Sequence, residues 1–201
     1  MIRAFLAVEL NEDLKKSLVQ VQQDLKQRLG RDLTKDVRIS WVQPSSIHLT
    51  IKFLGDIDEA LVEPMRRALE EMLKEHQAIH IPIERLGVFP HAQQPRALWV
   101  GASEEWERGE DAKRLAALHR SVEDCCELLD FAPESRPLSP HLTLARIKAG
   151  ERHLGQALAK SGVMDRPLSV GTLAVESVVL MKSELRPAGP VYTKLWEARF
   201  P

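Results

Sequence analysis

His48-Leu49-Thr50-Ile51 and His141-Leu142-Thr143-Leu144 decide how this chain is read. The two strings are near copies, one in each half of 201 residues. Each follows a turn-rich approach, Gln43-Pro44-Ser45-Ser46 before the first and Arg136-Pro137-Leu138-Ser139-Pro140 before the second, and each opens an apolar run, which predicts a strand. Along a strand successive side chains alternate between faces. His48 and Thr50 therefore share one face, and Leu49 and Ile51 the other. The same holds for His141 and Thr143 against Leu142 and Leu144. The apolar face belongs to a core, and the polar face presents one imidazole and one hydroxyl, twice over.

A single His-x-Thr carries little information. Two copies on otherwise apolar strands carry more, because polar groups there cost stability unless they face a cleft or find partners. Cleaving a phosphodiester needs a base for the nucleophile's proton and an acid for the leaving alkoxide. Imidazole titrates near neutrality, so one ring can hold a proton while the other lacks one. Threonine hydroxyls can donate to the non-bridging phosphate oxygens. A zinc reading is weaker, since neither motif has a second ligand nearby in sequence, and no metal or cofactor is expected. His76, His80, His119 and His153 read as surface residues, and His91 lies in a proline-flanked loop. No glycine-rich phosphate loop and no G-x-S-x-G string is present.

Working outward, strands are expected at residues 2–8, 38–42, 47–54, 79–89, 97–101, 141–147, 168–185 (one strand or two) and 191–200. Helices are expected at 11–30, 56–77, 110–129 and 150–161. Pro64 marks a late start or kink in the second helix. The strand–helix–strand–strand order recurs, which predicts a duplicated α+β unit: two lobes with mixed, mostly antiparallel sheets flanked by helices, and the two motif strands facing each other across a cleft. Apolar residues make up 44% and charged residues 28%, with a formal charge of −1. That balance argues against a long basic groove but leaves room for a small site gripping one nucleotide or one RNA end. Cys125 and Cys126 are adjacent in a helical pattern and read as reduced thiols. Residues 1–10 carry Arg3 and Glu9 and do not read as a signal peptide, and no long apolar run suggests a membrane span. A cytoplasmic monomer is expected.

The longer blocks around the motifs resemble the two-histidine phosphoesterases, and within them the RNA 2′,3′-cyclic phosphodiesterases, also called 2′-5′ RNA ligases. The resemblance runs through Arg3-Ala4-Phe5-Leu6-Ala7, Trp41-Val42, His48 to Gly55, Gly87-Val88-Phe89-Pro90, Arg96 to Gly101, Pro140 to Arg146, and Ser183, Gly189 and Tyr192. It implies one two-lobed domain over 1–201, with its first motif at 48–51 and its second at 141–144. It implies an enzyme that opens 2′,3′-cyclic phosphates on RNA ends or small nucleotides to a 2′-phosphomonoester. His48 would be the proton donor and His141 the proton acceptor, with Thr50, Thr143 and Arg146 contacting substrate. Some members join or reverse 2′-5′ linkages in tRNA halves. A 2′-5′ RNA ligase acting on tRNA is thus one alternative, and a non-catalytic nucleotide- or RNA-binding domain of the same fold is another. On a regular strand Arg146 falls opposite His141 and Thr143, so it reaches their face only through a bulge or the strand end. By the same parity Lys52 shares the His48 face, where it could meet phosphate, and Phe53 is expected to be buried.

Overall fold

Asn11 caps the first helix as its residue type predicts: its side-chain oxygen accepts from the Leu14 amide at 2.8 Å. The computed structural model describes residues 1–187 and 189–201. In chain order the elements are β1 (Ile2–Glu9), α1 (Glu12–Gly30), β2 (Arg38–Trp41), β3 (His48–Ile57), α2 (Val62–Leu73), β4 (Ile79–Ile83), β5 (Arg85–Phe89), β6 (Ala97–Gly101), α3 (Glu110–Glu127), β7 (Leu142–Ala149), α4 (Glu151–Ser161), β8 (Gly171–Val175), β9 (Ser177–Arg186) and β10 (Gly189–Arg199). The second helix is shorter than expected. It begins at Val62 and holds Pro64 in its first turn, where a missing N–H leaves no bond unmade. The strand expected over 79–89 breaks at Glu84 into β4, which pairs with β8, and β5, which pairs with β6.

Eight strands form one sheet in the order β10-β9-β1-β3-β7-β6-β5, with β2 on the edge of β7. All its pairings are antiparallel. The halves of the chain are not the halves of the sheet. β1 and β3 are completed by β9 and β10 from the C-terminal end, while β5, β6 and β7 are completed by β2 from the N-terminal part. The halves meet where Leu49 of β3 pairs with Leu142 of β7. These are the second residues of the two motifs, so an approximate twofold axis runs through that pair.

The two faces of the sheet are used differently. Leu6, Val8, Leu49, Ile51, Leu98, Val100, Leu142 and Leu144 join the leucines of α1, Met65 and Leu69 of α2, Leu115 and Leu118 of α3, and the β4–β8 ribbon in one apolar core. On the opposite face Phe5, Ala7, Val179 and Met181 make a small separate cluster, with Tyr192 packed against it. Cys125 and Cys126 are free thiols buried on α3, and burial pushes Cys126 up to about 12. No helix among the described residues is long and apolar enough to cross a membrane.

Candidate active site

The Leu49–Leu142 pair brings the polar faces of both motifs together. Antiparallel register around it sets His48 beside Thr143 and His141 beside Thr50. Each imidazole is oriented in the same way. His48 Nδ1 lies 2.9 Å from the carbonyl oxygen of Ser46, and His141 Nδ1 lies 2.7 Å from that of Ser139. A carbonyl oxygen can only accept, so both Nδ1 atoms carry the proton. That leaves Nε2 of each ring as the atom free to exchange a proton with a ligand. The repeat is therefore longer than His-x-Thr-x: Pro44-x-Ser46-x-His48 and Pro137-x-Ser139-x-His141 share the approach that supplies the carbonyl. This spacing was visible in the sequence, but the role of the serine backbone was not.

Aromatic rings wall both histidines. Phe5, only 3% exposed, stacks on His48 with centroids 4.7 Å apart, and Tyr192 meets the same ring edge-on at 5.2 Å. Phe89 meets His141 edge-on at 4.9 Å, and Trp99 lies 6.2 Å away. Trp99 occupies the space a side chain at its cross-strand partner Gly87 would fill. A Cβ on Gly87 would sit 2.1 Å from the indole. The aromatic walls withdraw the imidazoles from water. Burial pushes His48 below the ordinary value of 6.5, against the upward pull of the Ser46 carbonyl, and the charges of Arg146 and His141 push it further down. Burial also lowers His141, with the Ser139 carbonyl opposing and Arg146 assisting. Arg146 acts on Tyr192 as well, where it partly offsets the rise that burial causes. One guanidinium thus acts on groups from both lobes.

Arg146 reaches this face because β7 carries the bulge that its placement requires. Leu98 pairs with Ala145 but Trp99 pairs with Thr143, leaving Leu144 unmatched. The extra residue reverses the alternation, so Ala145 is buried and Arg146 is exposed on the face of His141. The Leu144 carbonyl accepts from the Val42 amide at 2.9 Å and from the buried Gln22 side chain of α1, also at 2.9 Å. Gln22 also donates to Val42 at 2.8 Å, tying the bulge to the core.

β3 carries the equivalent bulge, and two sequence expectations fail there. Leu6 pairs with Lys52 and Ala7 with Thr50, so Ile51 is the unmatched residue. Lys52 turns inward and is 5% exposed, away from the face of His48 where it was expected to meet phosphate. Its ammonium donates to Glu123 of α3 at 2.6 Å and to the Ala132 carbonyl at 3.0 Å. Phe53 turns outward and is 71% exposed, 6.2 Å from Phe5, rather than buried. His119 departs from its surface assignment too: its ring is largely buried, 3.5 Å from Glu123. Glu123 also accepts from the Glu134 amide at 2.9 Å. The Lys52–Glu123 pair therefore ties the first motif strand to the segment leading into the second motif. Removing one partner of a buried pair strands the other's charge. Glu123→Ala is expected to lower stability by about 3–5 kcal/mol in urea denaturation, and an effect below about 1 kcal/mol would show the pair to be solvated.

The remaining histidines stay outside the cleft constellation. His76 lies 3.1 Å from Ser121, His153 lies 2.6 Å from Asp36, and His80 and His91 are exposed.

Against known proteins this arrangement is a familiar one. Residues 8–99 and 109–192 match the sequence model of the LigT like phosphoesterase family. An RNA 2′,3′-cyclic phosphodiesterase of Methanothermobacter thermautotrophicus is 32% identical over 194 residues, covering 96% of each chain. One from Aquifex aeolicus is 32% identical over 176 residues, covering 87% of this chain and 88% of the other. A crystal structure of a Thermus thermophilus protein superposes with a TM-score of 0.72 at 28% identity, covering 99% of this chain and 98% of that one. Escherichia coli LigT, crystallised with 3′-AMP, shares the fold with a TM-score of 0.67 at 19% identity, with 99% and 98% covered. The motif strands, their shared cleft and the match over nearly the whole chain agree: this protein belongs to the LigT-like phosphoesterase family.

Proposed function

We propose that the protein is an RNA 2′,3′-cyclic phosphodiesterase that hydrolyses the cyclic phosphate of an RNA end or nucleotide to a 2′-phosphomonoester, using His48 and His141 as its acid and base and no metal. The observation that carries this reading is the matched pair of imidazoles, each held through Nδ1 by the carbonyl two residues before it, on motifs joined at Leu49–Leu142. The names of the relatives over nearly the whole chain support the same reaction class.

The geometry supports the following chemistry. The phosphate sits between the motifs with its non-bridging oxygens on the Thr50 and Thr143 hydroxyls and the Arg146 guanidinium. Nε2 of His141 takes a proton from water, whose oxygen forms a bond to phosphorus. The bond from phosphorus to the 3′ oxygen breaks, and Nε2 of His48 gives that oxygen its proton. The products are a 3′-hydroxyl and a 2′-phosphate, with one proton moved from His48 to the leaving group and one gained by His141. Solvent exchange restores both rings. Both imidazoles favour the neutral form in the free protein. The bound phosphate's negative charge raises them toward the state in which one is protonated. Phe53 offers an exposed ring beside this site for a nucleobase.

Incubated with cytidine 2′,3′-cyclic phosphate in EDTA, the protein is expected to yield cytidine 2′-phosphate, identified by phosphorus NMR. Turnover abolished by the chelator would reject the metal-free reaction, and a 3′-phosphate product would reject the leaving-group assignment.

A further inference from the structure

The duplicated site is not symmetric. The bulges at Ile51 and Leu144 make position 53 the equivalent of 146. On β3 that position holds Phe53, and on β7 it holds Arg146, with Lys148 two residues further along. Arg146 pairs with Ser40 of β2 and Ala97 of β6. A second irregularity between Arg38 and Ile39 of β2 leaves Lys148 unmatched beside Arg38. All three cations are exposed. Two residues along a strand span about 6.6 Å, so Arg146 and Lys148, with Arg38 alongside, form a strip running away from Thr143 on the cleft face.

The strip is also unneutralised. Most lysines and arginines here lie within 4.0 Å of a carboxylate, as at Arg28, Arg66, Arg67, Lys113, Lys160 and Lys194. Among the described residues none does so for Arg38, Arg146 or Lys148. The acids of the neighbouring α1–β2 connection are engaged elsewhere, Asp36 by His153 and Asp32 by Lys160. In a chain of net charge −1 such a row is a local positive field beginning at the phosphate site.

We propose that Arg146, Lys148 and Arg38 form a track for the phosphate backbone of single-stranded RNA leading away from the cyclic end, so that this enzyme favours an oligonucleotide over a mononucleotide. The proposal rests on reading the cleft as a cyclic-phosphate site. Each phosphate held by a cation displaces counterions, so the track adds a salt dependence that a mononucleotide does not show.

The test compares the wild type with Arg38→Gln/Lys148→Gln, which spares Arg146. The substrates are cytidine 2′,3′-cyclic phosphate and a short single-stranded RNA with the same cyclic end, each assayed from low to moderate salt. The double variant is expected to keep wild-type kcat/KM on the mononucleotide and lose roughly tenfold on the RNA at low salt. Its slope of log kcat/KM against log salt on the RNA should fall by about 1.4, or about 0.7 per lost contact. Equal losses on both substrates, or an unchanged RNA slope, would overturn the track. If the wild type opens neither substrate, the functional reading fails separately. The track is then decided by fluorescence anisotropy with a labelled RNA ending in a 2′-phosphate: a weaker, less salt-dependent fit for the double variant supports it, and identical binding overturns it.

Discussion

His48→Ala and His141→Ala are each expected to lower kcat on a 2′,3′-cyclic phosphate by roughly 10²–10⁴-fold while the protein stays folded. Among the described residues each ring is hydrogen-bonded only to the carbonyl two residues back, and it packs on the aromatic wall of the cleft. Both residues are only partly buried. Thermal melts followed by circular dichroism should therefore move little, with about 0.5–1.5 kcal/mol at stake in the lost stacking. Acid and base act in one displacement, so the double variant should lose little more than either single one. Losses of less than tenfold from both single variants would place the chemistry elsewhere.

Arg146→Met is expected to lower kcat/KM by roughly 10²–10³-fold, the cost of losing one preorganised donor to developing charge. It should also move the pH profile, by an argument whose sign is fixed. In the free enzyme the active form has one imidazolium and one imidazole. Burial lowers both histidines, and the positive charge of Arg146 lowers them further. The wild-type bell for kcat/KM should therefore peak on the acid side of 6.5, histidine's ordinary value. Removing the guanidinium removes a charge that disfavours imidazolium, so the bell of the variant should peak at higher pH. A profile that stays in place, or moves to lower pH, would show that Arg146 does not act on the two rings.

What the sequence disclosed was whatever depends on local pattern. The doubled His-x-Thr, the first helix beginning at Asn11 and the late start at Pro64 are short-range signals, and each appears where the pattern puts it. What depends on partner strands stayed hidden. A bulge adds one residue to one strand and reverses every side chain beyond it, yet neither Ile51 nor Leu144 differs from an ordinary strand residue. Plain alternation therefore puts Lys52 and Phe53 on the wrong faces, while Arg146 reaches the cleft through a bulge, one of the two routes that parity leaves open. The placement of Tyr192 beside His48 also needed the fold. The C-terminal strands return to the N-terminal half of the sheet, a pairing across most of the chain length that no window of sequence contains. The surroundings of His119 are hidden for a related reason: its partner Glu123 is four residues away on the same helix, but Glu123 is also paired with Lys52 from a distant strand.

A crystal structure of the protein with cytidine 2′-phosphate bound tests the central claim most directly. Nε2 of His48 and Nε2 of His141 should each lie about 2.6–3.2 Å from an oxygen on or leaving the same phosphorus, on opposite sides of it. A phosphate bonded to one ring, with the other turned away or beyond reach even through a water, would contradict the account.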